Sequence, residues 1–120
     1  MTKYTITDFE SLGNVLDEAK LYLTKAGLDE KCLFHSKLVF SELASNIAKH
    51  TPLGGEIKIE IKAENVEITL MGKASETMPK ESHCSSVYAE SGRGLFLIDS
   101  VCSNREDTEE GVKITLIREK

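Results

Sequence analysis

Apolar residues recur along this chain with two different periods. Tyr4 and Ile6 alternate with polar neighbours, a short strand-like start. From Phe9 the period lengthens: Phe9, Leu12, Leu16, Ala19, Leu23 and Ala26 return every three or four residues, which predicts a helix with one buried face. Thr7-Asp8-Phe9-Glu10 reads as its capping box, with Thr7 as N-cap and Glu10 reaching back, and Gly27 as its stop. Asp29 is placed to cap a second helix that runs to about His50 and is closed by Pro52 and Gly54-Gly55. Its core stripe is Leu33, Phe40, Leu43, Ala44 and Ile47. At about 100° per residue Glu42 falls well away from that stripe, whereas Asn46 and His50 lie beside its edge, on a flank that either meets solvent or lines a cavity.

Alternation then takes over. Ile57, Ile59 and Ile61 alternate with charged residues, as do Val66 and Ile68, with Leu70 extending the second series. Glu64-Asn65 lies between the two series, and Asn tolerates the positive φ of a tight turn, so a hairpin is predicted near residues 56–71. Gly72 to Gly92 is polar and irregular and contains Pro79, His83 and Cys84; a loop of that length inside a compact domain is usually functional or mobile. Leu95, Phe96, Ile98, Val101 and Cys102 predict a third helix. The Glu106-Asp107-Thr108-Glu109-Glu110 run reads as a charged turn, and Gly111 introduces a last strand with Val112, Ile114 and Leu116 on one face. This order predicts one α/β (α+β) domain over residues 1–120, a two-layer sandwich with helices on one face of a mixed, mainly antiparallel sheet.

Charge narrows the choice of partners. With 20 acidic against 15 basic residues the net charge is -5, which argues against nucleic acid and against an anionic membrane. No apolar run approaches the roughly 20 residues of a membrane-spanning helix. The opening Met1 to Asp8 lacks the apolar core of a signal peptide, so the expected compartment is the cytoplasm. Cys32, Cys84 and Cys102 are odd in number and widely spaced, which suggests neither a disulfide framework nor a CxxC metal site. Cys32 and Cys102, in amphipathic segments, read as small core residues.

Two motifs carry candidate chemistry. Within Ser41 to His50, the carboxylate of Glu42 and the carboxamide of Asn46 stand four residues apart, about one helical turn, so both can reach one site. Gly92-Arg93-Gly94 opens an amphipathic segment, an arrangement that lets backbone N–H groups approach phosphate oxygens at a helix N-terminus. Each is weak alone: a Glu and an Asn on a helix flank are ordinarily just solvated, and Gly-x-Gly before a helix is most often a tight connection. His83 and Cys84, adjacent in one loop, lack ligand geometry. Lys73 and Lys80 could touch phosphates from the loop, but exposed lysines are ordinarily only solvated.

Taken in this order and in a chain of this size, the motifs resemble the GHKL (Bergerat-fold) ATPase superfamily. Within it they most resemble the small anti-sigma-factor serine/threonine kinases of bacterial partner switching. The resemblance covers most of the chain, from the first helix through the Glu-x-x-x-Asn helix, hairpin, lid-like loop and Gly-x-Gly helix to the last strand. It implies a histidine-kinase-like ATPase domain in which Glu42 is the general base and Asn46 the Mg²⁺ ligand. Gly92, Arg93 and Gly94 are then the second glycine box, packing the loop's end against the nucleotide phosphates, and His50 matches the polar residue that commonly ends the family's N box. The chemistry is coherent, because Mg²⁺ prefers oxygen ligands and a carboxylate within reach can align a hydroxyl for phosphoryl transfer. The implied cofactors are ATP or ADP with Mg²⁺. The implied partners are a sigma factor, a STAS-type anti-sigma-factor antagonist, or a second copy of this chain in a homodimer.

One part of the family pattern is missing. After the second hairpin strand the family carries Asp-x-Gly-x-Gly, whose Asp accepts a hydrogen bond from the adenine amino group. With Val66, Ile68 and Leu70 kept in phase, Gly72 stands where that Asp belongs, and Ala74 and Glu76 replace the glycines. Sliding the register by two makes Gly72 the first glycine but puts Leu70 at the Asp position. An adenine donor left unpaired in a partly buried site costs about 1–3 kcal/mol. That is roughly tenfold to a hundredfold in affinity. The expected function is therefore an anti-sigma-factor-like regulatory protein with weak or absent ATP binding and kinase activity. The alternative is an active anti-sigma serine/threonine kinase that phosphorylates its antagonist with Mg-ATP. A catalytic domain detached from a histidine-kinase system fits less well, because no phosphoacceptor helix pair accompanies it.

Overall fold

The computed structural model describes residues 2–50, 54–71, 98 and 100–118, the side chains of Phe9 and His50 excepted. In chain order the elements are β1 (Thr2–Ile6), α1 (Phe9–Lys25), α2 (Glu30–His50), β2 (Gly55–Ile61), β3 (Asn65–Met71), β4 (Asn104–Asp107) and β5 (Gly111–Ile117). The strands form one sheet in the order β1-β2-β3-β5-β4. Every pairing is antiparallel, so the sheet, expected to be mixed but mainly antiparallel, is antiparallel throughout the described residues. Both helices lie on one side of it, giving the two-layer α/β sandwich.

Alternation along each strand explains the layering, because successive side chains point to opposite faces. Tyr4, Ile57, Leu70 and Val112 stand opposite one another across four strands, and Ile59, Ile68 and Ile114 form the next row. All of these are buried beneath the helices. The opposite face carries Lys58, Glu60, Glu67 and Lys113, linked by ion pairs from Lys62 to Glu67 (3.0 Å) and Glu60 (3.4 Å), from Lys113 to Glu106 (3.0 Å) and Glu67 (3.8 Å), and from Lys58 to Glu110. Magnitudes decide which face holds the fold. Each fully buried large aliphatic side chain contributes about 1.5–3 kcal/mol. A solvent-exposed ion pair contributes about 0–1 kcal/mol.

Local signals fix the element ends, with three departures from the sequence reading. The N-cap of α1 is Asp8, one residue later than expected. Its Oδ1 accepts the Ser11 N–H at 2.8 Å, while the Asp8 N–H donates back to Ser11 Oγ at 3.2 Å. A carboxylate is the stronger acceptor and its charge suits the positive end of the helix dipole, so Asp8 takes the place expected of Thr7 and Ser11 that of Glu10. Gly27, at φ +75, follows the end of α1 as anticipated. The second departure is at the hairpin: Asn65 is the first residue of β3, its carbonyl accepts the Lys62 N–H at 2.8 Å, and no non-glycine residue among those described has a positive φ. The third is that Asn104–Asp107 forms β4, so the acidic run is half strand, and the turn begins at Thr108, whose N–H donates to the Gly111 carbonyl at 2.7 Å. The third helix is described only at Ile98, Ser100 and Val101, which are helical, with Ile98 buried.

Candidate functional site

Asp29 starts α2 as the sequence suggests, its Oδ2 accepting the Cys32 N–H at 3.0 Å. The buried line of the helix is Cys32, Ser36, Val39, Phe40, Leu43, Ala44 and Ile47. It begins at Cys32 rather than at Leu33, which is only half-buried. This line lies on β1, β2, β3 and β5, and α1 packs along the helix as well. With two packing partners, no residue from His35 to Ala48 is exposed. Glu42, expected well away from the apolar stripe, is therefore half-buried, as is Asn46 one turn later. A half-buried carboxylate and carboxamide one turn apart form a pair of oxygen donors on one flank of a rigid helix.

Topology places this pair relative to the sheet. Asn46 lies in the last turns of α2, and a short connection brings the chain from His50 to the start of β2 at Gly55. Glu56, the second residue of that strand, is opposite Met71, the last residue of β3, and Met71 is opposite Gly111 at the start of β5. The C-terminal end of α2 and the exit from β3 thus share one end of the sandwich. Gly72, Gly92, Arg93 and Gly94 lie outside the described residues, as do Lys73, Pro79, Lys80, His83 and Cys84. Of the residues singled out in the sequence as a site, the structure places Glu42 and Asn46.

A feature that sequence reasoning missed lies at the other end of α2. A cavity of about 130 Å³ is lined there by Lys31, Cys32, His35 and Cys102, with Leu116 and Ile117 from the end of β5. Cys32 is buried as expected, and Cys102 is half-buried and packed against the margin of the core. The Cys32-x-x-His35 spacing on one helical face was the available signal; that Cys102 joins it depends on tertiary packing.

No protein-family model matches this chain, and no curated protein does either.

Proposed function

We propose that this chain is an anti-sigma-factor-like regulatory binding protein of a bacterial partner-switching system, with weak or absent ATP binding and kinase activity. The absence of the adenine-recognition Asp from the sequence is the observation that carries the regulatory reading. The half-buried Glu42–Asn46 pair on α2, with Asn46 toward the end of the sandwich where β3 leads into Gly72, supports the resemblance. Further support comes from the order of helices and antiparallel strands and from Gly92-Arg93-Gly94 in the sequence. Asn46 offers an amide oxygen suited to Mg²⁺, and Glu42 a carboxylate beside it that can align a hydroxyl. Adenine recognition is what the sequence lacks, because Gly72 or Leu70 replaces the Asp that would accept the amino group. On this reading the protein works in the cytoplasm, and its partners are a sigma factor, a STAS-type antagonist, or a second copy of itself.

The presence of both Glu42 and Asn46 favours a second reading, an active serine/threonine kinase. ATP would then supply the phosphoryl group, Asn46 would hold Mg²⁺ on the phosphates, and Glu42 would accept the proton of the antagonist's serine hydroxyl. Isothermal titration with ADP and ATP, with and without Mg²⁺, separates the two. The regulatory reading expects affinity weaker than micromolar, and a gain on Gly72→Asp. Micromolar or tighter ADP binding by the unaltered protein shows that the pocket recognises adenine in another way, and favours the kinase.

A further inference from the structure

We propose that Cys32 and Cys102 form a peroxide-responsive thiol pair that closes into a reversible disulfide across the cavity at the end of α2 remote from Asn46. The two thiols come from separate parts of the chain, one inside a helix and one just after the helical residues that precede β4, yet both line the same small cavity. Their settings differ in a useful way. Cys102 is half-buried and can meet a small oxidant, whereas Cys32 is 2 % exposed, with its Sγ 3.9 Å from Ser36 Oγ. Lys31 and His35 line the same cavity. Among the described residues no group of three His, Cys, Asp or Glu side chains is disposed to hold a metal ion, so Cys32, His35 and Cys102 are not a metal triad.

The chemistry runs in two steps. The Cys102 thiolate attacks a hydroperoxide; the O–O bond breaks, Cys102 becomes a sulfenic acid, and the departing oxygen takes a proton and leaves as water or an alcohol. The Cys32 thiolate then attacks the sulfenic sulfur, forming the S–S bond as the S–O bond breaks, and the hydroxide leaves as water with the proton of the Cys32 thiol. Two thiols lose two electrons and one peroxide gains them. A disulfide requires Cα atoms within about 7 Å. Cys32 is held inside α2, whereas Cys102 sits where the helical residues give way to the bend at Ser103. In a reducing compartment such a bond is transient and serves sensing rather than stability. The site depends on the cavity alone and is independent of any role for Glu42.

The test is a non-reducing peptide map of the reduced wild-type protein after exposure to hydrogen peroxide and alkylation of the remaining thiols. The expected product is a peptide pair joined through Cys32 and Cys102, lighter by two hydrogens than the separate peptides and released by dithiothreitol, with Cys84 alkylated. Cys32→Ser should leave a sulfenic acid on Cys102 that dimedone captures, with no bridge. Predominant bridging to Cys84, a bridge between two chains, or recovery of both Cys32 and Cys102 as alkylated thiols would overturn the proposal. The wild-type map decides the matter even where a variant fails to fold.

Discussion

Tyr4 and Phe40 meet edge to face, with ring centroids 5.4 Å apart and ring planes at 80°. The contact ties the edge strand β1 to α2 just ahead of Glu42, and both residues are buried. Burial pushes the Tyr4 phenol above its ordinary pKa, with Tyr22 and Glu18 adding to the effect. Phe40→Ala should cost about 3–5 kcal/mol through lost transfer energy and the cavity left behind. A double-mutant cycle with Tyr4→Leu should return a coupling of about 0.5–1.5 kcal/mol, the ring-to-ring term beyond simple burial. Urea unfolding of the four proteins measures it; zero coupling reduces the pair to two independent apolar residues.

Two glycines should respond to alanine in opposite directions. Gly111 has φ +148, and a Cβ there would meet the carbonyl oxygen of Leu70, a backbone atom of the central strand that cannot turn aside. Gly111→Ala should therefore destabilise the fold by more than about 1 kcal/mol. Gly13 lies inside α1 with nothing within 4 Å of the position a Cβ would take. Gly13→Ala should stabilise by about 0.5–1 kcal/mol, since alanine loses less backbone entropy in a helix. Thermal unfolding of the two variants checks both signs, and a stable Gly111→Ala would show that β3 and β5 can separate locally without cost.

The ion pairs on the outer sheet face predict a stability plateau with two limbs. Partial burial alone raises the Glu67 carboxyl, but the hydrogen bond from Lys62 and the charges of Lys113 and Lys62 outweigh it and hold the pKa below the ordinary value. Its contribution is present above the unfolded-state pKa and is lost as pH falls through the folded one. Lys62 is raised by hydrogen bonds to Glu67 and Glu60, and Lys113 by its hydrogen bond to Glu106 and the charge of Glu67. Their contribution is complete below the ordinary lysine pKa and is lost as pH rises through the folded values. Urea midpoints measured against pH should show a shallower acid limb for Glu67→Gln than for wild type. Identical acid limbs would assign acid unfolding to other carboxylates.

The two helices and the three central strands were legible because each buries a stripe or face of apolar residues, and that leaves a period in the sequence. β4 was not legible: Asn104 to Asp107 has no apolar alternation, and the strand is held by main-chain pairing to β5, with Arg105 opposite Ile114. The N-cap was misplaced by one residue because Thr7 and Asp8 are adjacent acceptors, and spacing alone does not rank their strength. The sequence left the Glu42 flank open between solvent and a cavity for a different reason. A helical wheel drawn against one sheet omits α1, which packs along the same helix. The Glu42–Asn46 pair could be read from its spacing, whereas the cavity joining Cys32 to Cys102 exists only once the chain has folded.

Glu42→Gln separates the regulatory reading from the kinase one at a single residue. The substitution keeps size and hydrogen-bonding capacity and removes the ability to accept a proton. Glu42 is half-buried on a helix whose register is set by its buried neighbours Leu43 and Ala44, so the fold should tolerate the change, as circular dichroism can verify. Wild type and variant are incubated with radiolabelled ATP, Mg²⁺ and a STAS-type antagonist whose binding to both has been confirmed. The regulatory reading expects no label on the antagonist in either case. Label transferred by wild type and reduced by a factor of about 10²–10⁴ in Glu42→Gln would make Glu42 the general base of a kinase. Equal transfer by both would keep the kinase and remove Glu42 from its mechanism.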